Sequence, residues 1–239
     1  MRALLLDFGG VLVDGGSRPG WPAALARKVV GGPPTVEADI VAGVAAYGLW
    51  GDAMCRPPAP VELAHERFWT DFVAADWPPR ARDAVAEHAT ELCHELGRLR
   101  HDWYLRPGVP ELLADATGQG IALAVVSNTL YGAVHREFLV AAGLAGHFAV
   151  QLYSDEVGVR KPNPELIRRA AGAVGVPVGD TWYVGDTWSR DVLCGRRAGV
   201  GCTVLMRSTR TGTDLAYPRP EPDLVVADPA ELHARLRRR

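Results

Sequence analysis

The sequence predicts an α/β fold: a parallel sheet with helices on both faces, plus a helical module inserted after the first strand. Three observations predict it. Six short apolar runs are bounded by turn residues, beginning with Ala3-Leu4-Leu5-Leu6-Asp7-Phe8 before Gly9-Gly10. Helical patterns separate the last five runs, which is the rhythm of strand–helix–strand units. The first run is cut off from the others by more than a hundred residues that read almost wholly as helix.

In chain order, the first strand is followed by Asp14-Gly15-Gly16, a hinge or an ordinary flexible turn. Helices are expected at about 22–31, 36–47, 60–76 and 80–100, with breaks at Pro57-Pro58-Ala59-Pro60 and Pro78-Pro79. The later strands are Ile121 to Val126, Phe148 to Tyr153, Thr181 to Val184, Gly201 to Met206 and Leu224 to Ala227. Between them lie helices at about 109–119, 130–143, 163–174 and 189–198. Residues 1–14 and 106–239 thus form the sheet domain, and 15–105 the helical insert.

Charge and composition narrow the function. A formal net charge of −2 gives no general attraction to nucleic acid or anionic membrane. The basic end, Arg235-Leu236-Arg237-Arg238-Arg239, reads as a frayed tail. Asp7 interrupts the apolar start, so Arg2 to Val13 does not read as a signal peptide. No stretch approaches the roughly 18 apolar residues of a membrane span, and a cytoplasmic location is expected. Cys55, Cys93, Cys194 and Cys202 lack CxxC spacing and read as reduced thiols; His88 and His94 read as surface or packing residues. Only Lys28 and Lys161 are lysines in an arginine-rich chain, which draws the eye to Lys161.

The acidic residues fall where such sheets bind ligands. Asp7 ends the first strand, and Asp186 follows Thr181-Trp182-Tyr183-Val184-Gly185. Two carboxylates brought together need a cation, and hard oxygen ligands without His or Cys favour Mg²⁺. Asp191 either ligates that ion or orients a ligand. Ser127-Asn128-Thr129 follows the second strand and suits an anion at a helix start, or is an ordinary cap. Arg160-Lys161-Pro162-Asn163-Pro164 places an ammonium near the sheet edge, or on the surface.

In this order the four segments resemble the haloacid dehalogenase-like hydrolase superfamily. Asp7-Phe8-Gly9-Gly10-Val11-Leu12 is similar to its first motif, Val126-Ser127-Asn128 to its second, Lys161-Pro162 to its third and Gly185-Asp186-Thr187-Trp188-Ser189-Arg190-Asp191 to its fourth. The insert resembles its helical cap, on a Rossmann-like core. The resemblance implies that Asp7 is a nucleophile forming an aspartyl phosphate, and that Ser127, Asn128 and the Gly9-Gly10 backbone hold phosphate. It implies that Lys161 balances charge, and that Asp7, the Gly9 carbonyl and Asp186 bind Mg²⁺ with support from Asp191. The implied partner is a small phosphorylated metabolite such as a sugar phosphate, with neither nucleic acid nor membrane; the chain stands alone or as a homodimer.

One position departs from the pattern. Most phosphatases of this superfamily carry a second aspartate two residues after the nucleophile as general acid and base, and here that residue is Gly9. Two other readings therefore stay open beside the phosphatase: a silent phosphate-binding or regulatory protein, and a 2-haloacid dehalogenase. The Gly185-Asp186 pair argues against the dehalogenase, which needs no metal. In the insert, Trp50 and Tyr47 are candidates for a pocket wall and Trp69 for packing; Arg18, Trp21 and Trp77 lie in the same region, and Trp188 is ambiguous.

Overall fold

The computed structural model describes residues 1–214 and 219–237. The strands are β1 (Ala3–Leu6), β2 (Val13–Asp14), β3 (Tyr104–Leu105), β4 (Ala122–Ser127), β5 (Val150–Tyr153), β6 (Thr181–Gly185), β7 (Cys202–Met206) and β8 (Leu224–Val226). Six of them form one sheet in the order β5-β4-β1-β6-β7-β8, with every neighbour parallel. This is the α/β architecture the sequence predicts.

β1 shows why the sheet is covered on both sides. Leu4 and Leu6 point into one apolar cluster with Leu112, Leu113 and Leu232, from the helices Val109–Gly118 and Pro229–Leu236. Ala3 and Leu5 point into another with Leu166, Ile167 and Ala198, from Glu165–Ala173 and Leu193–Ala198. A strand buried on both faces has no polar alternation, and Ala3-Leu4-Leu5-Leu6 is apolar throughout. Strand order reverses beside β1, between β4 and β6, so loops on either side diverge and leave a crevice at its carboxyl end.

The insert has its own apolar cluster, built on Leu25, Ile40, Phe68, Trp69, Leu92 and Leu96. Its helices depart from the expected ones. Val36–Ala53 is longer than 36–47. The helix expected at 60–76 shrinks to His65–Arg67 and a wide π-turn, Phe68–Val73. Prolines at 57, 58 and 60 have no N–H to give a helix, and Val61 bridges Val159 instead. The stretch 80–100 splits at His88 into Pro79–Glu87 and Ala89–Arg100. The sequence also hid the antiparallel pair β2–β3, which is only two residues deep. Beside it Gly16 N donates to Asp102 Oδ1 at 2.6 Å, and a Cβ on Gly15 would sit 3.0 Å from the Trp103 backbone. These glycines permit close backbone approach at the crossing into the insert.

The basic end is not frayed up to Leu236, which is buried in the sheet's cluster while Arg235 pairs with Glu231. Arg238 and Arg239 lie outside the described residues. All four cysteines are buried, and Lys28 is a surface residue paired with Glu95. Among the described residues no helix is long and apolar enough to cross a membrane.

Candidate active site

Asp7 is the first residue past β1. Its N–H still donates to Val184 O of β6 at 2.9 Å, which continues the ladder and fixes the side chain above the sheet. The Phe8 N–H donates to Asp7 Oδ1 at 2.8 Å. Gly10 then turns the chain with φ of 74°, and a Cβ there would run into the Asp186 carboxylate. Only glycine meets both demands.

Lys161 reaches this carboxylate from one side. Its Nζ lies 3.1 Å from Asp7 Oδ1 and 2.7 Å from Asp191 Oδ1, and donates to Tyr183 Oη at 2.8 Å. The side chain is 2% exposed, so it is a buried ammonium rather than a surface lysine. Burial opposes its charge, but Asp191 and Asp7 outweigh burial and hold its pKa above the ordinary value. Asn128 fixes the Lys161 backbone: its Oδ1 accepts from Lys161 N at 2.8 Å, and its Nδ2 donates to Lys161 O at 3.0 Å. The Asn128 amide, expected at the phosphate, is thus spent on holding the lysine. Ser127, buried at the end of β4, lines a cavity that Gly9 and Arg210 also line.

Asp191 is fully engaged. It accepts from Thr187 N at 3.0 Å and Thr187 Oγ1 at 2.6 Å besides Lys161 and Tyr183. Burial would raise its pKa, yet Lys161 and Thr187 hold it below the usual carboxylate range. It serves as counter-ion to Lys161. Asp7 is the opposite case: burial raises its pKa, against the pull of Lys161. Asp7, Asp186 and Asp191 offer carboxylate oxygens all within 4.8 Å of one another.

Arg210 flanks Asp7 on the other side, and sequence reasoning missed it. It follows β7, whose neighbour β6 carries Asp186. Its Nη2 donates to Gly9 O and Asp186 Oδ1, each at 2.6 Å, and lies 3.5 Å from Asp7 Oδ2. Its Nε donates to Asp186 Oδ2 at 2.8 Å, and Ser208 Oγ to the same oxygen at 2.5 Å. The available signal was positional: a segment leaving β7 must cross the same carboxyl edge. Asp7, Asp186 and Asp191 form a set able to hold a metal ion, and hard carboxylate and carbonyl donors with no nitrogen or sulfur suit Mg²⁺.

A cavity of about 170 Å³ is lined by Gly9, Ser127, Tyr131, Arg100, Arg160 and Arg210 among others; Asp7 itself is not in its lining. Arg160 is buried, bonded to Glu62 at 2.7 Å and Tyr47 Oη at 2.8 Å, and stacked 5.0 Å over Trp50. Trp50 thus backs the arginine and is not in the cavity lining, whereas Tyr47 is. Trp69 is fully buried packing, Trp77 bonds Asp39, and Trp21 lies under Arg100. Arg18 is exposed, and Trp188 lies 4.7 Å below Arg219.

Carboxylates on successive strand ends of an open parallel sheet, at the point where strand order reverses, define a class of α/β proteins with a site at that crevice. The chain belongs to the haloacid dehalogenase-like hydrolase family, whose model matches residues 1–199. It is 40% identical over 146 residues to a phosphoserine phosphatase of Thermus thermophilus, covering 61% of this chain and 57% of that protein. It is 30% identical over 165 residues to a glyceraldehyde 3-phosphate phosphatase of Methanopyrus kandleri, covering 67% and 66%. The matches thus span between about half and two thirds of the curated relatives' length. A 2-haloacid dehalogenase structure from Pseudomonas syringae has a TM-score of 0.64 at 19% identity, covering 100% of this chain and 99% of that one. CbbY from Rhodobacter sphaeroides, in complex with phosphate, has 0.61 at 21%, covering 97% and 96%. At such identities these two show the shared fold.

Proposed function

We propose that this protein is a Mg²⁺-dependent phosphomonoester hydrolase that transfers phosphate to Asp7 before releasing it to water, acting on a small phosphorylated metabolite. The observation that carries this is the placing of one buried carboxylate, Asp7, against the Lys161 ammonium and within 4.8 Å of the Asp186 and Asp191 carboxylates, next to residues Gly9 and Ser127 of a cavity with arginines in its wall. A dianionic phosphate approaches a carboxylate only where positive charge offsets both. The phosphatase names of the relatives support the same reading.

In this reading Asp7 attacks phosphorus, the bond from phosphorus to the ester oxygen breaks, and the leaving oxygen takes a proton from water. Water then attacks the aspartyl phosphate, releasing phosphate and restoring Asp7. Lys161 opposes the burial penalty on the Asp7 carboxylate, and Ser127 with the Asn128 backbone binds phosphate oxygens. Asp7, Asp186 and the Gly9 carbonyl would hold Mg²⁺, which supplies charge stabilisation to the transferring group. Gly9 provides no acid, so good leaving groups such as acyl or anomeric phosphates are favoured. The helices of residues 15–105 act as a cap that selects the substrate, and a cavity of about 170 Å³ suits a small one.

A panel of sugar, nucleotide and acyl phosphates with Mg²⁺ tests this. The expected result is phosphate release that EDTA abolishes. A folded protein that turns over none of them supports the silent-binder reading, and chloride release from a haloacid in EDTA supports the dehalogenase.

A further inference from the structure

We infer that Arg210 is an internal cation that competes with the divalent ion for Asp186, Asp7 and the Gly9 carbonyl. The inference rests on the metal-dependent reading above and adds a control on when that site loads. The Arg210 guanidinium already contacts each group assigned to the ion: Gly9 O and Asp186 Oδ1 at 2.6 Å, and Asp7 Oδ2 at 3.5 Å. A guanidinium and a divalent ion cannot share those lone pairs, and their like charges repel at such range. Loading the ion therefore requires the guanidinium to leave.

The surroundings permit that exchange. Arg210 N donates to Ser208 Oγ at 3.0 Å, and Thr213 N donates to Arg210 O at 3.1 Å. Thr211 Oγ1 donates to the Asp186 carbonyl at 2.7 Å. The backbone is thus pinned beside Asp186, while the Arg210 side chain is 47% exposed at the cavity mouth. The side chain can swing out by χ rotation while the main chain stays fixed. A Cβ on Gly9 would meet the guanidinium at 3.5 to 3.6 Å, an ordinary contact, so Arg210 lies directly over the Gly9 backbone. At low Mg²⁺ the clustered carboxylates stay neutralised by Arg210; at high Mg²⁺ the ion takes its place.

Calorimetric titration of the full chain with MgCl2 alone, without substrate, tests this. Arg210→Ala should bind Mg²⁺ about tenfold more tightly than wild type, the equivalent of about 1.4 kcal/mol. It should also melt at a lower temperature in EDTA and gain more from Mg²⁺. Arg210→Gln, which keeps the bulk and removes the charge, should behave alike and answers the question if the alanine variant does not fold. A wild-type Kd in both variants overturns the competition while leaving the phosphatase reading intact. No Mg²⁺ binding by wild type or by either variant overturns both.

Discussion

Asp7 has a cation on each flank, and the two flanks are built to different ends. On one side Lys161 is sealed at 2% exposure, with its ammonium satisfied by Asp7, Asp191 and Tyr183 and its backbone clasped by Asn128. On the other, Arg210 is 47% exposed and hangs from a short segment onto Asp186. The sealed charge is part of the fold. The open one lies in the place of an exchangeable ligand. A buried ammonium between two carboxylates offsets part of the burial penalty on Asp7, whose pKa burial nevertheless raises.

The largest expected effect breaks the sealed flank. Lys161→Met leaves Asp7 and Asp191 buried without their counter-ion and should lower unfolding free energy by about 3 kcal/mol, read from urea denaturation near pH 7. It should also abolish any phosphatase activity. A loss under 1 kcal/mol would mean that water already reaches this flank and that the contrast between the two sides is false.

A smaller effect sharpens the open flank. Gly9→Asp puts a carboxylate against Arg210 and restores an acid near the leaving group. It should raise kcat for esters with poor leaving groups by roughly 10²-fold, and far less for acyl or aryl phosphates. Equal gains for both would remove the account of why glycine stands there.

The smallest effect lies beyond both flanks, in the aromatic wall where His101 bonds Tyr131 and stacks on Trp103. Burial lowers the His101 pKa to about 4. Between pH 6.5 and about 4 the unfolded chain binds a proton that the folded chain refuses, so stability falls as pH falls through that window. His101→Gln should flatten the slope of stability against pH by at most about 1.4 kcal/mol per pH unit. An unchanged slope would show that His101 accepts its proton in the folded state.

The same contrast explains what the sequence revealed. Asp7 and Asp186 were legible because each ends an apolar run and so lies at a strand's carboxyl end. Lys161 was legible as one of two lysines beside a proline. Arg210 was not, because it is one arginine among many and its role depends on β7 lying beside β6, a pairing that local pattern does not encode. Asn128 was placed correctly on its strand end, but its bonds to Lys161 need a contact 33 residues away. In the insert, helix was legible from composition, but the breaks at Val61 and His88 are set by contacts with the sheet domain and by backbone angles.

The central claim is that Asp7 carries the phosphoryl group. With no acid or base side chain at Gly9, the aspartyl phosphate should be slow to hydrolyse and should accumulate. Acid quenching during turnover of ³²P-labelled acetyl phosphate with Mg²⁺ measures it directly. The expected result is protein-bound label in wild type that Asp7→Asn lacks. Phosphate release with no label on wild type, or label that survives Asp7→Asn, would contradict the account.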